Sequence, residues 1–108
     1  MRIYLAGPMR GYPDQNRAAL AQAAGALCSS GHTVFNPGEH PGRDIGASLA
    51  IDLAWICLIA ECLVVLPEWE NSKGAVAEYR AAEAIGLPVH RYNDDILVKL
   101  VKVYGRSG

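Results

Sequence analysis

Cys62-Leu63-Val64-Val65-Leu66 is five apolar residues in a row, bounded by Glu61 before and Pro67 after. Too short for a helix and lacking polar alternation, the run predicts a strand buried on both faces, as in a parallel sheet sandwiched by helices. Downstream, Ser72 is a good N-cap for a helix over residues 73–85, which Gly86 closes. Upstream, Asp44 is placed to cap a helix from about residue 45 to residue 60. Before that, Thr33-Val34-Phe35 reads as a strand ended by Asn36-Pro37-Gly38, and a polar, glycine-rich loop runs on to Arg43. Arg2–Ala6 is a further strand, ended by Gly7-Pro8. A loop follows to Pro13, where Asp14 is expected to cap an alanine-rich helix over residues 15–30 that stops at Gly31. At the other end, residues 88–92 read as a fourth strand, Asp94 or Asp95 opens a shorter helix to about Val103, and the last four residues are expected to fray. Strands that alternate with helices imply an α/β chain with a parallel sheet covered on both sides. Sites in such sheets lie beyond the carboxyl ends of the strands. Here those ends are the loops at residues 7–13, 36–43 and 67–72.

The bulk numbers limit the function. A chain of 108 residues supports one domain, and an enzyme so small is expected to be a homodimer or larger homo-oligomer that borrows part of its site from a neighbouring copy. Ten basic and eleven acidic residues give a net charge of -1, with no basic excess for a nucleic-acid backbone. The first apolar run is too short for a signal peptide. The apolar stretch at 45–60 contains Asp52 and falls short of the roughly 20 residues that span a bilayer. Cys28, Cys57 and Cys62 are odd in number and lack metal-ligand spacing, which predicts free buried thiols in a reducing cytoplasm. No metal and no organic cofactor is expected.

Two acidic residues are out of place. On the helix after Ser72 the apolar line runs Ala75, Tyr79, Ala82, Ile85, and Glu78 lies three residues after Ala75 and four before Ala82. Glu78 therefore borders the sheet-facing stripe, less than two turns from the helix start. Its neighbours offer no cation at helical spacing, so the choice is between an ordinary solvated Glu and a partly desolvated carboxylate of raised pKa beside a pocket. Asp52 is the one charge between Asp44 and Glu61. It is either held by hydrogen bonds inside or exposed on the narrow polar side of an otherwise buried helix. Gly7-Pro8-Met9-Arg10-Gly11 follows the first strand, and a glycine there lets backbone amides approach a ligand while Arg10 could hold an anion. The pattern is neither a phosphate-binding P-loop nor G-x-G-x-x-G. His32 and His90 read as strand-edge residues, and His40 as a loop residue at the pocket end. Trp55 and Trp69 read as core and rim, with Trp69 able to stack on a base.

Three blocks together resemble the nucleoside 2-deoxyribosyltransferase superfamily: residues 3–11, Asp52-Leu53-Ala54-Trp55-Ile56 with the strand at 62–66, and Ser72-Lys73-Gly74-Ala75-Val76-Ala77-Glu78. The similarity runs over roughly residues 2–91 and, within the superfamily, is closest to the 2'-deoxynucleoside 5'-monophosphate N-glycosidases and to short bacterial and phage members. It implies a three-layer Rossmann/flavodoxin-like parallel sheet of four to five strands. It also implies a small-molecule nucleotide or nucleoside substrate. By position, Glu78 stands where the family has its catalytic glutamate, Asp52 where it has a second carboxylate on the sugar or leaving base, and Tyr4 where a tyrosine orients the glutamate. Gly7, Arg10, Ser72 and Gly74 stand in the substrate-binding positions, and Arg10 and Ser72 match the 5'-phosphate ligands of the hydrolase branch. The transferase branch usually has an acidic residue at Ser72. Two departures stand out. Tyr79-Arg80 replaces the Leu-Gly that often follows the glutamate, and for the residue contributed by a neighbour's C-terminal segment Asn93 is the nearest candidate. The expected chemistry is cleavage of an N-glycosidic bond by hydrolysis. Transfer of the sugar to a second base, or nucleotide binding without turnover, are the alternatives.

Overall fold

The computed structural model describes residues 1–39 and 44–93. Four strands, β1 (Arg2–Ala6), β2 (Thr33–Phe35), β3 (Cys62–Val65) and β4 (Val89–Arg91), form one parallel sheet in the order β2-β1-β3-β4. Three helices connect them: α1 (Arg17–Ser29), α2 (Ile45–Leu58) and α3 (Lys73–Ala84). This is the α/β sheet with helices on both faces that the strand–helix alternation implies. The glycine-rich loop at 40–43 with His40, the helix expected from Asp94 or Asp95, and the tail lie outside the described residues.

β1 and β3 are the central pair, with Ile3 opposite Cys62 and Ala6 opposite Val65. Because side chains alternate along a strand, each sends two sets of residues to opposite faces. Ile3, Leu5, Cys62, Val64 and Leu66 pack with Leu20, Ala23, Ala24 and Leu27 of α1, residues spaced for one helical face. Tyr4, Ala6, Leu63 and Val65 turn the other way and pack with Ile56 of α2 and Ala75 and Ala82 of α3.

Two caps form as expected: Asp44 accepts the Ala47 N–H at 3.2 Å and Ser72 accepts the Ala75 N–H at 3.2 Å. The cap expected from Asp14 does not form. Residues 13–16 make a tight turn in which Asp14, Gln15 and Asn16 have left-handed φ of 48°, 52° and 61°, so α1 begins at Arg17. A left-handed backbone carries the Asp14 carboxylate away from the N–H groups it would have capped. Gly31, at φ 93°, ends the region of α1 as read from sequence.

The helix α2 departs most from expectation. Of its fourteen residues only Asp52 and Ile56 are buried, and Ile51 and Leu58 are 43% and 82% exposed. Cys57 on α2 and Cys28 on α1 are exposed free thiols, which corrects the expectation that all three cysteines are buried. Cys62 alone is buried, and that burial pushes its thiol pKa up to about 12. Ile85, read as part of the inward line of α3, is 51% exposed because it falls at the C-cap, beyond the last helical turn. No helix among the described residues is long and apolar enough to cross a membrane.

Candidate functional site

The site starts from Tyr4, in the middle of β1. Pairing in register sets Tyr4 beside Phe35 of β2 and Leu63 of β3. The Tyr4 ring stacks on Phe35 at 5.2 Å between centroids, and Trp55 of α2 closes the cluster at 5.3 Å from Phe35 and 6.2 Å from Tyr4. With its ring fully buried, Tyr4 needs a polar partner for its hydroxyl. That hydroxyl donates to Glu78 Oε2 at 2.7 Å.

Glu78 comes from α3, where Ala75, Glu78 and Ala82 form the inward face. Small alanines on either side let the helix sit close to the sheet, and Glu78 is only 6% exposed. Asp52 arrives from α2 and is 8% exposed. It lies close enough to hydrogen-bond with both Glu78 and Tyr4. Two carboxyl groups and a phenol, from three different elements, thus share one enclosed spot.

The electrostatics follow from that enclosure. The Glu78 carboxyl is raised from 4.5 to about 8, chiefly by burial; the Tyr4 hydrogen bond opposes that rise, and the charge and hydrogen bond of Asp52 add to it. Burial and the two acidic neighbours also hold Tyr4 far above its ordinary range, so it stays a donor. Two carboxyl groups this close titrate as a pair, and near neutral pH the pair keeps a proton.

The other residues singled out from sequence lie around the carboxyl ends of β1 and β3. Gly7 follows β1 where the chain passes tightly against β3: a Cβ there would stand 2.9 Å from Leu66 Cδ1. Leu66 N–H continues the sheet by donating to Ala6 O at 2.8 Å. Arg10 is exposed on the loop beyond Gly7. Ser72 is half-buried at the N-cap of α3, with Lys73 and Gly74 exposed beside it. The backbone amides of that first turn form a positive end. Arg10 and Ser72 are therefore at the loops, while Tyr4, Asp52 and Glu78 are below them between sheet and helices.

Tyr79 and Arg80 do not crowd Glu78. The Tyr79 ring lies against Trp69 at 4.7 Å, its hydroxyl bonds to Glu83 Oε2 at 3.2 Å, and Arg80 is exposed. That stacking gives Trp69 a protein partner in place of the base considered from sequence. His32 is buried, with its Nδ1 3.0 Å from the Met1 amine, and His90 is half-buried on β4. Asn93 is exposed and lines a cavity of about 220 Å³ with Val65, Trp69, Arg91 and Tyr92, on the β4 side of β3.

Sequence reading missed one link. Tyr12 donates to Glu68 Oε1 at 2.8 Å, tying the loop after β1 to the loop after β3. A contact between residues 56 apart has no local signal in the chain. Among the described residues no group of three His, Cys, Asp or Glu side chains converges as a metal site would.

Comparison with known proteins now fits onto this geometry. The chain belongs to a family described as a domain of unknown function (DUF4406), whose pattern matches residues 1–91. It is similar in structure to a 2-deoxyribosyltransferase from the psychrotolerant bacterium Bacillus psychrosaccharolyticus. The TM-score is 0.67 at 23% identity, over 92% of this chain and 81% of that one. The likeness shows a shared nucleoside 2-deoxyribosyltransferase-like fold. No curated protein matches the chain.

Proposed function

We propose that this DUF4406 protein breaks the N-glycosidic bond of a nucleoside-type substrate, with Glu78, Asp52 and Tyr4 as its catalytic residues. The observation that carries the reading is the buried Tyr4–Glu78 hydrogen bond with Asp52 alongside. A carboxyl pair that holds a proton has what the reaction requires: one group to face the positive charge growing on the anomeric carbon, and one proton for the departing base. In this mechanism the proton of the pair rests on Asp52 when substrate binds, and Glu78 is the anion. Glu78 bonds to the anomeric carbon as the carbon–nitrogen bond breaks. The released electron pair goes to the base nitrogen, which takes the proton from Asp52. A second base or a water then attacks the anomeric carbon, the Glu78 ester opens, and the acceptor's proton returns to Asp52. Tyr4 holds Glu78 Oε2 and points the other oxygen at the sugar.

Of the two acceptors, the fold shared with a 2-deoxyribosyltransferase supports a base, which makes the protein a transferase. Hydrolysis of a 5'-monophosphate is the second reading, and Ser72 favours it. Its hydroxyl and the exposed Lys73 and Gly74 at the start of α3 suit a phosphate, with Gly7 and Arg10 on the adjoining loop.

The test is chromatography of products from a panel of ribo- and 2-deoxyribonucleosides and their 5'-monophosphates, each with and without a second free base. Formation of a new nucleoside only when a second base is present identifies the transferase. Free base released from monophosphates alone identifies the hydrolase. Binding of the panel without any bond broken, or full activity in Glu78→Gln, overturns the proposal.

A further inference from the structure

The cavity of about 220 Å³ at the ends of β3 and β4 has no part in the candidate site: none of Tyr4, Gly7, Arg10, Asp52, Ser72, Gly74 and Glu78 lines it. Its walls are set by the backbone. Tyr92 N–H donates to Val65 O at 2.8 Å, which carries the bonding of β3 to β4 past Arg91. On the facing wall, Trp69 N–H donates to Leu66 O at 3.2 Å and Asn71 N–H to Glu68 O at 3.0 Å, so the turn after Pro67 is tightly wound. Pro67, Trp69 and Tyr92 give the cavity apolar surface. Arg91 and Glu70 line it as exposed charges, and neither makes an ion pair among the described residues. Trp69 adds a third polar group, because its indole N–H is buried with no acceptor. A buried donor left unpaired costs about 1–3 kcal/mol, and native structures keep few of them.

We propose that this cavity is a second binding site, for a free nucleobase. Its volume is that of roughly seven molecules of liquid water. That is below the ~300 Å³ at which pockets for drug-sized ligands begin, and it suits one flat heterocycle without a sugar. The walls ask for a ligand that accepts hydrogen bonds from the Arg91 guanidinium and the indole N–H, donates to Glu70, and is apolar on its faces. A nucleobase carries its acceptors and donors around the edge of a π-system and meets all three demands. An inorganic anion would face the Glu70 carboxylate as a like charge, and an aliphatic ligand would leave both donors unpaired. The choice of a base among heterocycles rests on the proposed function, in which a free base is product or acceptor. Two contacts join the cavity to the candidate site. Glu68 accepts from Tyr12 on the loop that carries Arg10, and Trp69 packs on Tyr79, the residue after Glu78.

The chain has two tryptophans, so the test is direct. In heteronuclear NMR of the isotope-labelled protein each gives one indole N–H signal, and Trp69→Phe tells the two apart. Adenine and cytosine are titrated separately to about 5 mM, enough to fill most of a site of millimolar Kd. At least one of them is expected to move the Trp69 indole proton downfield along a saturable curve. The curve is expected to persist in Glu78→Gln, which does not line the cavity. It is expected to need at least about tenfold more base in Arg91→Ala and in Glu70→Ala, each of which removes one charged partner. Both side chains are exposed, and if one variant fails to fold the other decides. The proposal is overturned if neither base moves the Trp69 signal, or if inorganic phosphate moves it equally. It is also overturned if the curve is unchanged in the folded variants of Arg91 and Glu70, or if it vanishes in Glu78→Gln. No bond breaks in the titration, so its failure is separate from failure of the glycosyl chemistry.

Discussion

The two faces of the sheet are built from the same strands and have opposite characters. On the α1 side, Ile3, Leu5, Val64 and Leu66 meet Leu20, Ala23 and Leu27 in a dry contact with no buried acid. On the α2 and α3 side, Tyr4 takes the position between Ile3 and Leu5, and two carboxylates are buried with it. One face stabilises the fold, and the other tolerates an unfavourable burial of acid that the first must offset. Because the side-chain period of a strand is two, a slip of one residue in β1 would exchange these roles.

That contrast can be attacked from either side. The largest effect is expected from Glu78→Gln, which removes the ionisable group but keeps its shape. Base release or transfer should fall by about 10³-fold, while thermal unfolding shows a fold at least as stable as wild type. On the dry side, Leu27→Ala should lower unfolding free energy by about 3 kcal/mol in a urea titration and leave the pH dependence of activity where it was. A loss of the pH profile in that variant would mean the two faces are not separable.

The pH dependence of stability comes next. Glu78 holds its proton to about pH 8 in the folded chain, against 4.5 for the ordinary carboxyl. The folded state therefore binds a proton that the unfolded chain has released. The contribution is fully present below pH 4.5, declines as pH rises toward 8 and levels off above it, by an amount on the order of a few kcal/mol. Denaturant titrations across that window should show the slope, and Glu78→Gln should flatten it. In the free enzyme, kcat/KM should fall with pH over the upper part of the same window, as the pair loses the proton that the departing base requires.

Tyr4→Phe should be milder, costing about tenfold in kcat, and should move that fall to higher pH because the hydrogen bond that favours the Glu78 anion is gone. Smallest of all, Ser72→Ala should cost about 1 kcal/mol of stability by uncapping α3. If it also weakens monophosphates against nucleosides, the hydrolase reading gains.

Much of this was legible in the chain. The run at 62–66 and the strand at 2–6 identified the sheet because continuous apolar segments have few other uses in a short α/β protein. Glu78 stood out because its spacing from Ala75 and Ala82 gave its direction. Asp52 was legible only as an anomaly, since an apolar helix does not say which of its sides is covered. The structure resolves this in an unexpected way: the acid is inside, and the isoleucine and leucine side chains are outside. The turn at Asp14 was misread because a capping carboxylate and a left-handed residue draw on the same short polar side chains. The Tyr12–Glu68 tie depends on two loops meeting in space, and no periodicity reports that.

Three consecutive left-handed residues at 14–16 act as a wound spring beside the loop that carries Arg10. Each is held in a shape an L-residue adopts at a cost of about 1–2 kcal/mol. A molecule that draws the Gly7–Arg10 loop inward should therefore alter the backbone amide chemical shifts of Asp14, Gln15 and Asn16 more than those of the core between α1 and the sheet.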